Sequence, residues 1–276
     1  MRIAHVCILH RPSDARVFWK QCRTLAAAGH DVHLIAPDPP AARLDGVAFH
    51  AVQRPSPRAP SVLSSLWRAF RLARRLRADV YHVHEPVLIP VAVALKLTGA
   101  RVVYDAHEDA AGDAKSVGKN LNRPLLGTVL YVLWSALWAV ARGAFDAYVS
   151  ATKAIARKYP PGRTIVVRNY PLLDEFAGAG PPFADRPNHV IHVGGMTAAR
   201  GIAEMVRAVA MLDEALDARL VLVGAFSPTS LAEQVGRMPG SDRVEIIDWL
   251  DRPAMIERMR RARVGVVVFH PDPNHV

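Results

Sequence analysis

The stretch from His189 to Ile202 carries residues whose types and spacing suit anion chemistry: a strand pattern runs into Gly194 and Gly195, and a short polar turn leads into a helix opening near Arg200. Paired glycines at a strand-to-helix junction let backbone amides approach a phosphate closely, and the helix start adds partial positive charge. Glycine pairs also make ordinary turns, so the pair alone is weak. Arg200 strengthens the anion reading, because a guanidinium grips phosphate oxygens at two points. A second group, His107, Glu108 and Asp109, follows the strand pattern at Arg101 to Ala106. Titratable groups at the carboxyl end of a parallel strand stand where open α/β sheets bind ligands. A third group is His82 and His84, one residue apart on a strand between Asp79 and Glu85 and so on one face. That suits a metal, but the segment offers no third ligand at suitable spacing, and no metal is expected.

These residues need a scaffold, and the chain is long enough for one. Its 276 residues are 51% hydrophobic and 22% charged, the composition of a folded soluble protein of two domains. The net charge of +10 favours an anionic partner: nucleic acid, an acidic membrane surface or a phosphorylated ligand. Cys7 and Cys22 lack CxxC or CxxH neighbours, so they read as reduced core thiols of a cytosolic protein. The N-terminus enters a strand pattern directly, with no secretory signal in view.

Strands are expected at Ile3 to Leu9, Asp31 to Ala36, Val47 to Val52, Asp79 to Glu85, Arg101 to Ala106, Asp146 to Ala151 and Thr164 to Val167, the first followed by a helix from Asp14 to Ala28 closed by Gly29. Arg16, Lys20 and Arg23 recur at helical spacing on that helix. The first two oppose the helix dipole, a misfit that a bound anion would relieve. A helix from Val62 to Arg77 carries five arginines, Arg68, Arg71, Arg74, Arg75 and Arg77. Without interleaved aromatics it reads as a solvated face or a phospholipid contact rather than a nucleic-acid site. The uncharged run from Leu125 to Ala141, with Tyr131, Trp134 and Trp138, reads as a core helix first and an interfacial helix second.

Residues 1–171 therefore read as one Rossmann-like domain, 172–188 as a Pro- and Gly-rich linker, and 189–276 as a second domain. The second has strands at His189 to Val193, Arg219 to Val223, Val244 to Ile247 and Val264 to Phe269. Four strands make an incomplete doubly wound sheet.

Taken in order, HRPSDARVFWKQCRTLAAAGHDVHLIAP, DVYHVHEPVLIP, VVYDAHED, HVGGMTAARGI and LVLVGAF resemble the retaining nucleotide-sugar glycosyltransferases of family 4. The resemblance implies the GT-B architecture: two Rossmann-like α/β domains facing a cleft, acceptor in the first and nucleoside-diphosphate sugar in the second. It implies that His107 lies beside the donor sugar, with Arg16 near the diphosphate or acceptor and Glu85 on the same cleft edge. It further implies that Gly194, Gly195 and Arg200 cradle the diphosphate, and that Trp249 and Leu250 fall where backbone contacts the nucleobase. No metal and no cofactor are implied, because amides and cations stabilise the leaving diphosphate. Two departures stand out. Gly195 occupies a place where many members have arginine, and the chain stops before the helix that carries their paired glutamates. The expected partners are a nucleoside-diphosphate sugar, a lipid-linked or glycan acceptor and an anionic membrane surface at the cytoplasmic face, with no nucleic acid. A binding or scaffold protein on the same fold, and a nucleotide-sugar epimerase, are the alternatives.

Overall fold

The structure, a computed structural model, describes residues 1–56, 59–106, 124–176, 178 and 180–270. It has two compact units, Met1–Tyr170 and Pro171–Val276.

In the first unit, β1 (Arg2–Val6), β2 (Asp31–Ala36), β3 (Arg43–Leu44), β4 (Val47–Ala51), β5 (Val80–Val83), β6 (Arg101–Ala106), β7 (Ala147–Ser150) and β8 (Thr164–Val166) form one sheet. Their order is β3-β4-β2-β1-β5-β6-β7-β8, and only the β3–β4 pair is antiparallel. The strands read as apolar runs because both faces are covered. Ala4, Val6, Tyr81, Val83, Val102 and Tyr104 pack one face against the helices Ala59–Leu76, Ile89–Leu97 and Pro124–Ala144. On the other face Cys7, Val32, Leu34 and Phe49 meet Val17, Phe18 and Cys22 of the first helix. Burying a side chain such as Phe18 contributes about 1.5–3 kcal/mol.

The first helix begins as expected, with the Asp14 carboxylate accepting from the amides of Arg16 and Val17 at 2.8 and 2.9 Å. Its first part, Ala15–Cys22, is π-helical, with the Trp19 amide reaching the Asp14 carbonyl five residues back; the α-helix Arg23–Ala27 follows, and Gly29 closes it at φ +83°. β1 is shorter than its apolar pattern suggested. It stops at Val6 because the amides of Ile8, Leu9 and His10 turn to the Glu85 carboxylate.

Helix Pro124–Ala144 is anchored by buried Ala141, while Trp138 packs on Tyr104 and Tyr159. The side chains of Tyr131 and Trp134 lie outside the described ones. Among the described residues, no helix is long and apolar enough to cross a membrane.

In the second unit β9 (His189–Val193), β10 (Arg219–Val223), β11 (Val244–Ile247) and β12 (Val264–Gly265) form a parallel sheet of order β11-β10-β9-β12. Helices Ile202–Ala210 and Ser230–Gly236 pack their apolar sides on it. Adjacent residues of β9 are both buried, Ile191 and His192 at 5% and 2% exposure, since this sheet is also covered on two faces. The last strand pairs over Val264–Gly265 alone, short of Phe269. Beyond it the chain crosses the turn after β9, where the His270 amide donates to the Ala199 carbonyl at 2.8 Å. In each sheet the connections diverge at one point, between β1 and β5 and between β9 and β12, and the carboxyl ends there are where α/β sheets form ligand crevices.

Candidate functional site

At the β1/β5 point of the first unit lies a buried polar strip built by strand register. His5 pairs with His82 across β1 and β5, and His84 follows on the same face. The three ring centroids lie 4.6 to 5.1 Å apart. The third histidine absent from the local segment therefore arrives from the neighbouring strand. On the next strand, β6, stands Asp105, whose Oδ2 is 3.3 Å from His84 Nδ1. That contact favours the proton on Nδ1, so His84 Nε2 accepts from His5 Nδ1 at 2.8 Å.

Arg16 closes the strip. Its Nε donates to Asp105 Oδ2 at 2.9 Å, its Nη2 to Oδ1 at 2.8 Å and its Nη1 to the Val167 carbonyl at 2.8 Å. Gln21 Nε2 adds a bond to Oδ2 at 2.6 Å. Thus the basic stripe expected on the first helix is not one solvated face: Arg16 is 6% exposed, Lys20 meets Asn169, and Arg23 pairs with Asp45 beside the Trp19 ring. Burial alone would raise the pKa of Asp105, but hydrogen bonds from His84 and Arg16 outweigh it and hold the carboxyl well below its ordinary range. His5 is pushed well down, first by burial and then by His82 and His84.

Three close imidazoles have the ligand reach for a metal. Their charge setting opposes one, because Arg16 already balances Asp105 and a divalent ion would be buried without a counter-charge. The second candidate set, Cys7, His10 and Glu85, is no better. Burial first, and then Glu85, raise the Cys7 thiol's pKa and keep it protonated. Glu85 accepts from the amides of Ile8, Leu9 and His10 and from His10 Nδ1, all at 2.7 to 2.8 Å. It therefore shapes the loop after β1. Burial raises its pKa, but the His10 ring and the amides outweigh that and lower it.

These shifts give the fold an acid-labile unit. An imidazole with a depressed native pKa binds its proton more readily when unfolded, so its stability contribution is complete above its ordinary value of 6.5 and declines as pH falls below it. Asp105, ordinarily 3.8, adds a further loss at lower pH, down through its depressed native value. The urea midpoint of the full chain is expected to drop between pH 7.5 and 5 and again below 4; a midpoint flat from 7.5 to 5 would contradict the neutral buried His5.

At the β9/β12 point of the second unit, Gly194, Gly195 and Arg200 come together. Gly194 has φ +140°, and a Cβ there would lie 2.7 Å from Arg200 Nη1, so the guanidinium folds back directly over the turn. A Cβ on Gly195 would meet nothing within 4 Å, which leaves room above it. Gly224, after β10, is pressed against this turn: its Cβ would lie 2.1 Å from the Gly194 carbonyl oxygen. Arg200 belongs to a 3₁₀ turn, Ala198–Arg200, and Gly201 in the left-handed region at φ +61° separates that turn from the Ile202–Ala210 helix. The helix thus opens two residues later than Arg200. The guanidinium carbon is 5.6 Å from the Phe269 ring, and among the described residues no carboxylate pairs with it. Trp249 is 61% exposed, its amide bonded to Asp248 at 2.7 Å. Leu250 packs on Ile191, Val221 and Val223. His107, with Glu108 and Asp109, lies outside the described residues.

A family model described as Glycosyltransferase Family 4 matches residues 15–169, more than half of the chain. The chain belongs to glycosyltransferase family 4. Solved structures agree on the GT-B fold of such glycosyltransferases. The family 4 chain is similar to sucrose-phosphate synthase from Thermosynechococcus elongatus at 18% identity, TM-score 0.70, over 96% of this chain and 75% of that one. It is similar to WaaG, a glycosyltransferase of lipopolysaccharide biosynthesis, at 16% identity, TM-score 0.70, over 98% and 75%. It is similar to Anabaena HepE, solved with UDP and glucose, at 12% identity, TM-score 0.70, over 99% and 76%. No curated protein matches the sequence.

For this glycosyltransferase, sequence reasoning missed Asp105, although it stands inside VVYDAHED, because the titratable run His107, Glu108 and Asp109 follows it after Ala106. A charged residue within an apolar strand was the available signal. It also passed over His192, a polar residue flanked by apolar Ile191 and Val193 just before Gly194.

Proposed function

We propose that this family 4 glycosyltransferase moves a hexosyl group, with retention, from a nucleoside-diphosphate sugar to a lipid-linked or polysaccharide acceptor in cell-surface glycan synthesis at the cytoplasmic face of a membrane. The observation that carries this reading is the Gly194–Gly195 turn with the Arg200 guanidinium folded over it at the carboxyl end of β9. Amides and a preorganised cation at that point would bind the donor diphosphate and stabilise it as it leaves, with no metal required. The second unit takes the donor, with Trp249 and Leu250 toward its base, and the first takes the acceptor. His107 is assigned to the donor sugar. Arg16 and Glu85 act indirectly, Arg16 by fixing Asp105 and Glu85 by holding the loop after β1. Two solved structures of similar fold support a nucleotide-sugar donor: Anabaena HepE in complex with UDP and glucose, and the E. coli trehalose-6-phosphate protein bound with UDP-2-fluoro glucose.

A membrane-bound acceptor is supported by helix Ala59–Leu76, whose exposed arc carries Leu63, Trp67, Arg71, Arg74 and Arg75 and no acidic residue. Apolar and basic groups on one helix face suit an anionic lipid surface.

The test is to incubate the full chain with uridine, adenosine and guanosine diphosphate sugars, with and without lipid extract, and to follow nucleoside diphosphate release. Release that depends on the lipid acceptor is expected. Donor bound but never turned over would favour the scaffold alternative. Donor epimerised without acceptor would favour the epimerase, whose fold is also similar.

A further inference from the structure

His192 has no role in that reading, yet it sits directly behind the turn. It is 2% exposed, two residues before Gly194, and on the same side of β9 as Val190, which packs toward the Ile202–Ala210 helix. Its Nδ1 lies 3.2 Å from the Val266 carbonyl oxygen. A carbonyl only accepts, so the proton is on Nδ1 and Nε2 is a bare lone pair. Among the described residues that buried Nε2 has no hydrogen-bond partner. The ring also faces the Gly195 backbone and the Arg200 charge.

The turn after β9 contributes Arg200. Adjacent β10 contributes apolar Leu222, register partner of His192. The helix contributes Glu204 and Arg207, which pair with each other at its exposed side. The segment after β12 contributes the Val266 carbonyl and, at the surface, His270, which pairs with Glu204.

Resting on the reading of the turn as a diphosphate site, we propose that His192 is a positioning residue that takes up a proton at Nε2 when a nucleoside-diphosphate sugar occupies the Gly194–Arg200 turn, setting an imidazolium beneath the anion. In the empty site burial, and after it the Arg200 charge, disfavour the protonated ring, while the Val266 and Gly195 backbone favour it. A bound diphosphate offsets Arg200 and adds its own attraction, which moves the balance to the charged form. The new Nε2–H then has the Gly195 backbone before it, and the turn is held in its anion-binding shape. The proton comes from solvent or buffer acid, the N–H bond at Nε2 is the one bond formed on the protein, and no bond between heavy atoms changes.

Binding that takes up a proton strengthens as pH falls, by at most about tenfold per pH unit. The probes are UDP-glucose, ADP-glucose and GDP-mannose, whose diphosphate diesters do not titrate between pH 6 and 8. Calorimetry of the full chain in buffers of different ionisation enthalpy is expected to show proton uptake, with Kd rising about three- to tenfold from pH 6 to 8. His192→Gln is expected to abolish both the uptake and the slope while His270 remains. Buffer-independent enthalpy with a flat Kd overturns the proposal and leaves the nucleotide-sugar reading standing. So does full uptake in His192→Gln, which would assign the proton elsewhere. No binding by any of the three overturns both. Should the variant fail to fold, the wild-type buffer series decides, joined by the NMR titration of the His192 ring with and without UDP-glucose.

Discussion

An Asp105→Ala chain is expected to lose about 3–5 kcal/mol of stability, because the substitution leaves a cation buried without its counter-charge. Arg16 is 6% exposed, and its Nε and Nη2 both donate to Asp105. Among the described residues, only the Val167 carbonyl would remain as its partner. His84 and Gln21 lose an acceptor at the same time, and each buried polar group left unmade adds to the cost. Denaturant unfolding of the full chain measures the loss. Arg16→Met on the Asp105→Ala background removes the stranded charge as well and should recover part of it, since an apolar replacement of a whole buried pair is often near neutral. A single Asp105→Ala that unfolds at the wild-type midpoint would mean that the pair is not formed in solution. Glu175 and Arg252 form a comparable bidentate pair in the second unit, at 2.5 and 2.6 Å, but it is partly exposed and a smaller effect is expected there.

Arg200→Ala is expected to lower kcat/KM for the nucleotide-sugar donor about 10²- to 10³-fold, the usual effect of removing a preorganised donor from a developing negative charge. The basis is the position of Nη1 over Gly194 and the absence of a paired carboxylate among the described residues, so the charge is available to a ligand and is not needed to balance a neighbour. Stability should change little by comparison. Arg200→Lys should restore part of the activity, because it keeps a point charge but loses the planar fork. Steady-state kinetics with the preferred donor, alongside an unfolding curve to exclude loss of fold, read both effects. An Arg200→Ala chain that binds and turns over the donor like the wild type would remove the anion site from the proposed mechanism.

Part of this architecture is written in local pattern. The strands Asp31–Ala36, Arg101–Ala106, Arg219–Val223 and Val244–Ile247 have the bounds that their apolar runs suggest, since a strand covered on both faces needs little beyond such a run between turn residues. Gly194 and Gly195 followed by Arg200 were equally legible, because a tight turn and its nearby cation lie within seven residues of one another. Where strands ended was less legible. β1 gives up its last residues to Glu85, and β12 its last to the turn below Arg200, and in both cases the competing partner is remote in sequence.

The sequence by itself determined the α/β class, the succession of strands and helices and the paired-glycine turn after β9, all of which follow from apolar periodicity and from backbone geometry that glycine permits. Tertiary structure alone decided that Arg16 is held by Asp105, 89 positions away, that His5 joins His82 and His84, and that His192 lies buried behind the Gly194–Gly195 turn. The reason is physical: sheet order and register choose which distant side chains share a face, and a charge's role depends on which partner and how much water remain beside it.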